Sequence, residues 1–115
     1  MSQKAFISGC AGPVLSPEER AFFYGERPWG FILFARNCLN RTQIERLCAD
    51  LREAADDELA PIFIDQEGGR VRRLRPPLVD DYPSGAVYDA LYRSDREKGL
   101  EAARLAARLI AADLT

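Results

Sequence analysis

Three short apolar runs, spaced by segments of helical periodicity, constrain this chain's fold more than any other feature. The first is the strand expected over residues 4–9, from Lys4 to Gly9. The second is Gly30-Phe31-Ile32-Leu33-Phe34-Ala35, and the third opens at Ile62-Phe63-Ile64. Continuous apolar runs, rather than alternating ones, belong to strands of parallel sheets with both faces covered. Between the first two runs, Ser16-Pro17-Glu18-Glu19 supplies an N-cap, a proline at the first helical position and two acids for the dipole. That helix is expected from about Pro17 to Tyr24, with Gly25 and Pro28 ending it.

Between the second and third runs, either Asn40 or Thr42 caps a helix, with Gln43 or Glu45 three residues on completing a capping box. Ile44, Leu47, Cys48, Leu51 and Ala55 then make one apolar face, Asp56-Asp57-Glu58 ends the helix, and Pro61 leads into the third strand. From Gly68 to about Val87 the chain is rich in Gly, Pro and Arg and reads as a long loop, a kind usually functional or disordered. A last helix is expected from Arg96 to Leu114, with Leu100, Ala103, Ala107, Ile110 and Leu114 on one face and Leu105 and Leu109 on another. Tyr88 and Tyr92 share i, i+4 spacing and are expected to pack. The order β-α-β-α-β-loop-α predicts an α/β fold with a parallel sheet under helices. No C-cap glycine and no further strand follow Asp113-Leu114-Thr115, so the fold is expected to be incomplete, with one sheet face poorly covered.

With 115 residues, 16 Lys and Arg against 18 Asp and Glu, and a net charge of −2, the chain lacks the basic balance of a nucleic-acid protein. The arginines at 70, 72, 73 and 75 read as a solvated loop cluster. Ala5-Phe6-Ile7 is too short for a secretory core or a membrane span. Cys10, Cys38 and Cys48 share no metal-ligand spacing and are expected to be reduced, buried packing residues of a cytoplasmic protein. There are 0 histidines, which rules out a Ser-His-Asp triad, a Cys-His dyad or a histidine metal site built from these residues alone. Acid–base chemistry within the chain would fall to carboxylates.

The third run is the place to look for them. Asp65, Gln66 and Glu67 close it, Gly68-Gly69 follows, and Arg70, Arg72 and Arg73 come next. Charged groups at the C-terminal end of a buried strand stand where α/β folds bind ligands. If the strand continued, Asp65 and Glu67 would share a face, as a glycosidase's two carboxylates might be imagined to do. Catalytic carboxylates, however, flank the scissile bond from opposite sides, and strand neighbours approach from one side. The residues favour Asp65 as an acceptor for polyol hydroxyls and Glu67 as a brace for a nearby arginine; a structural ion-pair cluster is the alternative. Arg36-Asn37 ends the second strand and either lines the pocket or anchors a loop. Trp29 either stacks on a sugar face or packs at the strand entry.

Ile64-Asp65-Gln66-Glu67-Gly68-Gly69-Arg70-Val71, closely followed by Arg73, strongly resembles the signature of glycoside hydrolase family 3 β-N-acetylhexosaminidases. Gly30-Phe31-Ile32-Leu33-Phe34-Ala35-Arg36-Asn37 resembles that family's second recurring motif, and Pro83 is similar to its short proline-containing segment. The β-glucosidase branch of the family normally lacks the Asp-Gln-Glu-Gly-Gly-Arg run.

The resemblance implies that residues 1–115 are the N-terminal portion of a (β/α)8 TIM-barrel domain, about three β/α units, truncated at the C-terminal end. It implies a retaining enzyme that removes terminal β-linked N-acetylglucosamine from recycled peptidoglycan fragments in the cytoplasm. The family's substrate-binding aspartate and arginine match Asp65 and Arg73; Glu67, Arg70, Arg36 and Asn37 are candidate supporting residues. No catalytic residue is expected in this chain. The family's Lys-His-Phe/Ile-Pro-Gly-His-Gly motif, its acid/base histidine and its nucleophilic aspartate have no counterpart before Thr115. The implied partner is a small carbohydrate, an N-acetylglucosamine-containing muropeptide, with no nucleic acid, no membrane and no metal or organic cofactor. The alternative is a non-catalytic half-barrel acting as a sugar-binding or interaction module.

Overall fold

The computed structural model describes residues 2–115 and divides into two compact units, one ending at Asp65 and one running Gln66–Thr115. The first unit contains β1 (Lys4–Ser8), α1 (Pro17–Glu26), β2 (Pro28–Leu33), a 3-10 turn (Ala35–Asn37), α2 (Arg41–Ala54) and β3 (Ile62–Ile64). Its strands form one parallel sheet in the order β1-β2-β3, with Ser8 opposite Phe31 and Leu33 opposite Ile64. Each parallel pair is joined through a helix, as a β/α succession requires. The α/β class and the partial-barrel architecture expected from the sequence hold.

Local chemistry sets most boundaries. At α1 the Ser16 hydroxyl accepts from the Glu19 N–H at 3.1 Å while the Glu19 carboxylate accepts from the Ser16 N–H at 3.1 Å. This reciprocal box satisfies two otherwise orphaned donors. The helix does not stop at Gly25; it runs to Glu26 and ends where Arg27 takes the left-handed conformation (φ 52). The Arg27 carbonyl accepts from the Lys4 N–H at 2.8 Å, so β2 pairs from Pro28, two residues before its apolar run. At α2 the cap is Asn40, whose side chain accepts from the Gln43 N–H at 2.9 Å. Gln43 does not close the box; its side-chain oxygen accepts from Leu39 instead, at 2.7 Å.

The core lies between the helices and one sheet face. Phe23 meets Phe31 edge-to-face at 5.0 Å, and Leu15, Leu33, Leu47, Leu51 and Ala55 complete the cluster. The face of α2 foreseen from its spacing is thus the buried one. On the sheet, Ile7, Trp29 and Phe63 stay 46%, 48% and 41% exposed, so these strands are not covered on both faces. A groove of about 600 Å³ runs along the open edge at β1, lined by Gln3, Lys4, Ala5, Phe6, Ile7 and Trp29. No described helix is long and apolar enough to cross a membrane.

The second unit corrects the expected long loop. A small antiparallel hairpin, β4 (Gln66–Gly68) and β5 (Val71–Arg72), occupies its start, and a helix, α3 (Gly85–Ser94), occupies its end. Tyr88 and Tyr92 carry the helical spacing of α3; Tyr88 is half-buried, whereas Tyr92 is exposed. The last helix, α4 (Arg96–Asp113), has the expected extent but not the expected buried face. Gly99 and Ala106 are buried, while Leu100, Leu105, Leu109 and Leu114 are exposed. The cause is close backbone approach. A Cβ on Gly99 would lie 2.4 Å from the Tyr92 Cα, so the smallest residue of α4, not its leucines, marks the contact with α3.

Gly99→Ala therefore drives a methyl into the α3 backbone and is expected to destabilise the second unit by about 1–3 kcal/mol, as overpacking does. Gly25→Ala, inside α1 with nothing within 4 Å of the new carbon, is expected to stabilise by about 0.5–1 kcal/mol. Urea unfolding of the two variants checks both signs.

Candidate functional site

Because β1, β2 and β3 are parallel, their C-terminal ends open on one edge, where Gly9, Phe34 and Asp65 follow the last strand residues. The segment after β2 is held by Asn37, a fully buried amide. Its oxygen accepts from the Phe34 N–H at 2.8 Å. Its nitrogen donates to the carbonyls of Cys10 at 3.1 Å and Gly12 at 2.9 Å, with the Cys10 sulfur at 3.3 Å. Asn37 thus closes the turn after β2 and fastens the loop after β1 to it. Of the two readings open for Asn37, the geometry is that of a loop anchor.

Arg36 joins the same anchor from the solvent side. Its Nε donates to the Cys10 carbonyl at 3.1 Å, and its guanidinium sits 4.8 Å from the centre of the Phe34 ring. A Cβ on Gly9 would meet Arg36 Nη2 at 3.3 Å, so glycine leaves the guanidinium its room. Trp29 lies at the opposite, N-terminal end of β2, with its ring 5.9 Å from that of Phe63. It packs there, away from the C-terminal edge.

Asp65 is half-buried immediately after β3, and the strand stops there. Gln66–Gly68 pairs with Val71–Arg72 in a separate sheet, so Asp65 and Glu67 are not successive same-face residues of one strand. The strand geometry invoked for a carboxylate pair is absent. Glu67 is exposed and forms no ion pair among the described residues; Arg72 is braced by Asp81 instead, at 2.7 Å. Arg70 is exposed as well. The Arg72 guanidinium also donates to the Gly69 carbonyl.

Gln66, which the sequence did not single out, organises the segment carrying Arg73. Its side-chain oxygen accepts from the N–H groups of Arg73 at 2.9 Å and Leu74 at 3.1 Å, and its nitrogen donates to the Leu74 carbonyl at 2.9 Å. The signal was an amide alone among carboxylates, able to donate and accept where they only accept. Gly68 and Gly69 take φ of 83° and 61°, and a Cβ on Gly68 would lie 2.4 Å from the Pro83 carbonyl oxygen. Only glycine fits that turn. Tyr82, whose carbonyl accepts from the Gly69 N–H at 2.9 Å, donates its hydroxyl to Asp113 at 2.8 Å. That bond to a carboxylate pushes the phenol up to about 12.

Arg36 and Asn37 thus meet on Cys10 in the first unit, at the strand edge that also carries Asp65; Arg73 and Gln66 meet in the second. Cys10, Cys38 and Cys48 are free thiols packed in or against the first unit's core. Burial first, and then the Glu19 carboxylate, pushes Cys10 from 9.0 to about 11, and burial also raises Cys38 and Cys48. All three are poor nucleophiles in this state.

No protein-family model matches the chain. It is 40% identical over 108 residues to the "Beta-hexosaminidase" of Xanthomonas axonopodis pv. citri (strain 306), covering 94% of this chain and 32% of that protein. The crystal structure of NagZ from Neisseria gonorrhoeae in complex with N-trifluoroacetyl-D-glucosamine superposes with a TM-score of 0.86 at 26% identity, over 97% of this chain and 32% of that one. A glycoside hydrolase family 3 beta-N-acetylglucosaminidase from Paenibacillus sp. str. FPU-7 matches at a TM-score of 0.63 and 30% identity, over 72% of this chain and 16% of its own. Fold and sequence together are similar to a segment of these larger proteins. More narrowly, the chain resembles glycoside hydrolase family 3 β-N-acetylhexosaminidases and spans about a third of the length of the curated relatives it matches.

Two outcomes follow from the anchor and its thiol. Asn37→Ala removes a fully buried amide together with its bonds to the Phe34 N–H and the Cys10 and Gly12 carbonyls, and is expected to cost about 1–3 kcal/mol in urea unfolding. Cys10 is protonated more readily folded than unfolded, so its contribution is complete below pH 9.0 and lost as pH rises toward about 11. Cys10→Ala is expected to flatten that alkaline fall in stability, measured as Tm against pH.

Proposed function

We propose that residues 1–115 are the N-terminal portion of a TIM-barrel domain, and that they supply part of the sugar-binding face of a retaining β-N-acetylhexosaminidase. Asp65 and Arg73 are the substrate-binding residues of this reading. Asp65 accepts from the hydroxyls of a terminal β-linked N-acetylglucosamine, and Arg73 donates to them in charge-assisted hydrogen bonds. Asn37 supports the β1 and β2 loops, and Glu67 and Arg70 stand outside the first line of contacts. The observation that carries the reading is the position of Asp65 one residue beyond β3, on the shared C-terminal edge of three parallel strands. That edge is where barrel enzymes bind substrate. The sugar analogue bound by the Neisseria gonorrhoeae protein supports the same ligand class.

In this reading the reaction takes two steps. An aspartate attacks the anomeric carbon, and water then releases the covalent glycosyl-enzyme with acid/base help from a histidine. Both groups come from sequence other than these 115 residues, which contain 0 histidines. Asp65 and Arg73 orient the sugar so that binding favours the reacting geometry. The substrate is a peptidoglycan-derived muropeptide and the compartment the cytoplasm, which the free thiols Cys10, Cys38 and Cys48 support. The chemistry needs neither a metal nor an organic cofactor.

The chain alone is expected not to hydrolyse an aryl N-acetyl-β-glucosaminide; turnover would overturn the division of labour proposed here. It is expected to bind N-acetylglucosamine by NMR titration, with Asp65→Ala and Arg73→Ala each abolishing the shifts. Binding together with a reading frame that lacks the Lys-His-x-Pro-Gly-His-Gly motif after Thr115 would favour the non-catalytic half-barrel.

A further inference from the structure

We infer that the outward face of α4 is a self-association surface, on which a second copy of this chain packs its own α4 antiparallel about a two-fold axis. The inference is independent of the sugar-binding reading. α4 turns Gly99 and Ala106 inward, Gly99 against the backbone of α3. Leu105 and Leu109, one turn apart, are left 56% and 44% exposed. An open groove of about 310 Å³ runs beside Leu105, walled by Glu101, Arg104 and Arg108. Adjacent exposed leucines rimmed by charges mark a surface that another protein covers.

The charges identify that protein. Glu97, Glu101, Arg104 and Arg108 recur at helical spacing along one flank of Leu105, and all four are exposed. The acids occupy the N-terminal half of this stripe and the arginines its C-terminal half. Among the described residues none of the four forms an ion pair, whereas Arg93 of α3 and Lys98 of α4 each hold an aspartate. A second α4 running antiparallel about a two-fold axis lays the stripe against its own counterpart in reverse order. Glu101 of each copy then faces Arg108 of the other, and each acidic half lies along a basic half. The midpoint between Glu101 and Arg108 falls beside Leu105, so the same axis brings the two Leu105 side chains together.

A parallel second copy would set Glu101 against Glu101 and Arg108 against Arg108, like charges that repel. A purely acidic or purely basic partner would satisfy one half of the stripe and oppose the other. The stripe is complementary to itself in one orientation, the property of an isologous two-fold interface. Burial of the leucines supplies the attraction, and the charges fix direction and register. A helix of 18 residues spans about 27 Å, a small interface, so the dimer is weak and concentration-dependent.

Sedimentation equilibrium of the chain, from low micromolar to near-millimolar concentration, tests this. The mass is expected to rise from 12.9 kDa toward twice that value and to stop there. Glu101→Arg and Arg108→Glu are each expected to weaken the dimer about tenfold, the scale of two exposed pairs turned from attraction to repulsion. The double variant, Glu101→Arg with Arg108→Glu, restores every pair and is expected to dimerise like the original chain. Leu105→Asp is expected to stay monomeric at every concentration. Circular dichroism verifies that each variant keeps its helices; if a single variant does not, the double variant set against Leu105→Asp decides. A chain that remains monomeric overturns the proposal. A dimer indifferent to the single reversals also overturns it, since the contact would then lie elsewhere, as at the open β1 edge. Growth past two copies does the same, being the mark of a contact that does not close. Weakening by the single reversals without rescue in the double variant overturns the antiparallel register.

Discussion

The geometry of the strand edge depends on one buried side-chain amide. Asn37 bonds Phe34 ahead of it and Cys10 and Gly12 some twenty-five residues earlier, and it is completely removed from water. Two loops leaving neighbouring parallel strands would otherwise diverge with unpaired backbone groups. Amide bonds from a single residue satisfy those groups and fix the loops against each other. The position of Arg36 follows from this. Its contact with the Cys10 carbonyl exists only because Asn37 has already brought that carbonyl under the turn after β2.

Gln66 plays the corresponding part in the second unit. There the amide sits on a hairpin strand and reaches past the turn to Arg73 and Leu74, closing a short loop from inside. Both cases use an amide where a carboxylate would fail, since each must donate and accept in the same place. Among the charged residues that draw the eye in Asp65 to Arg73, Arg73 thus has its backbone fixed by the uncharged Gln66. Fixing backbone by side chain suits binding residues carried on loops, whose own hydrogen bonds do not form ladders.

The parts of the fold that are local were legible before the structure. Ser16 and Asn40 announce helix starts through their own hydrogen bonds, and the stripe Leu47, Leu51, Ala55 needs only 3.6-residue periodicity to be recognised. What was illegible depended on distant backbone. The buried face of α4 is decided by Gly99 against Tyr92, and a glycine contributes nothing to an apolar stripe. The end of β3 at Asp65 is invisible to apolar patterning, because Gln66–Gly68 still looks extended and merely changes partner. Likewise Asp65 was named from its place at a strand end and Arg73 through family likeness, whereas Arg36's three-sided seat needed the coordinates of Gly9, Cys10 and Phe34 together. Residue types were readable; which backbone groups they would meet was not.

The uncovered sheet face sharpens why the strand edge is built from hydrogen bonds. Ile7, Trp29 and Phe63 remain about half exposed, so apolar burial on that side contributes little to holding β1, β2 and β3 in register. Burial against α1 and α2 secures the middle of the sheet through Phe31 and Leu33, both on its helix face. Past the last strand residues, Ser8 and Leu33, Gly9 and Phe34 begin the loops. At that edge the helix-side core gives way to polar groups, and only directional bonds can define positions closely enough to present a carboxylate and a guanidinium. The hydrogen-bonded ladder sets the distance between β1 and β2, while the Asn37 amide and the Arg36 guanidinium fix the loops that leave their ends.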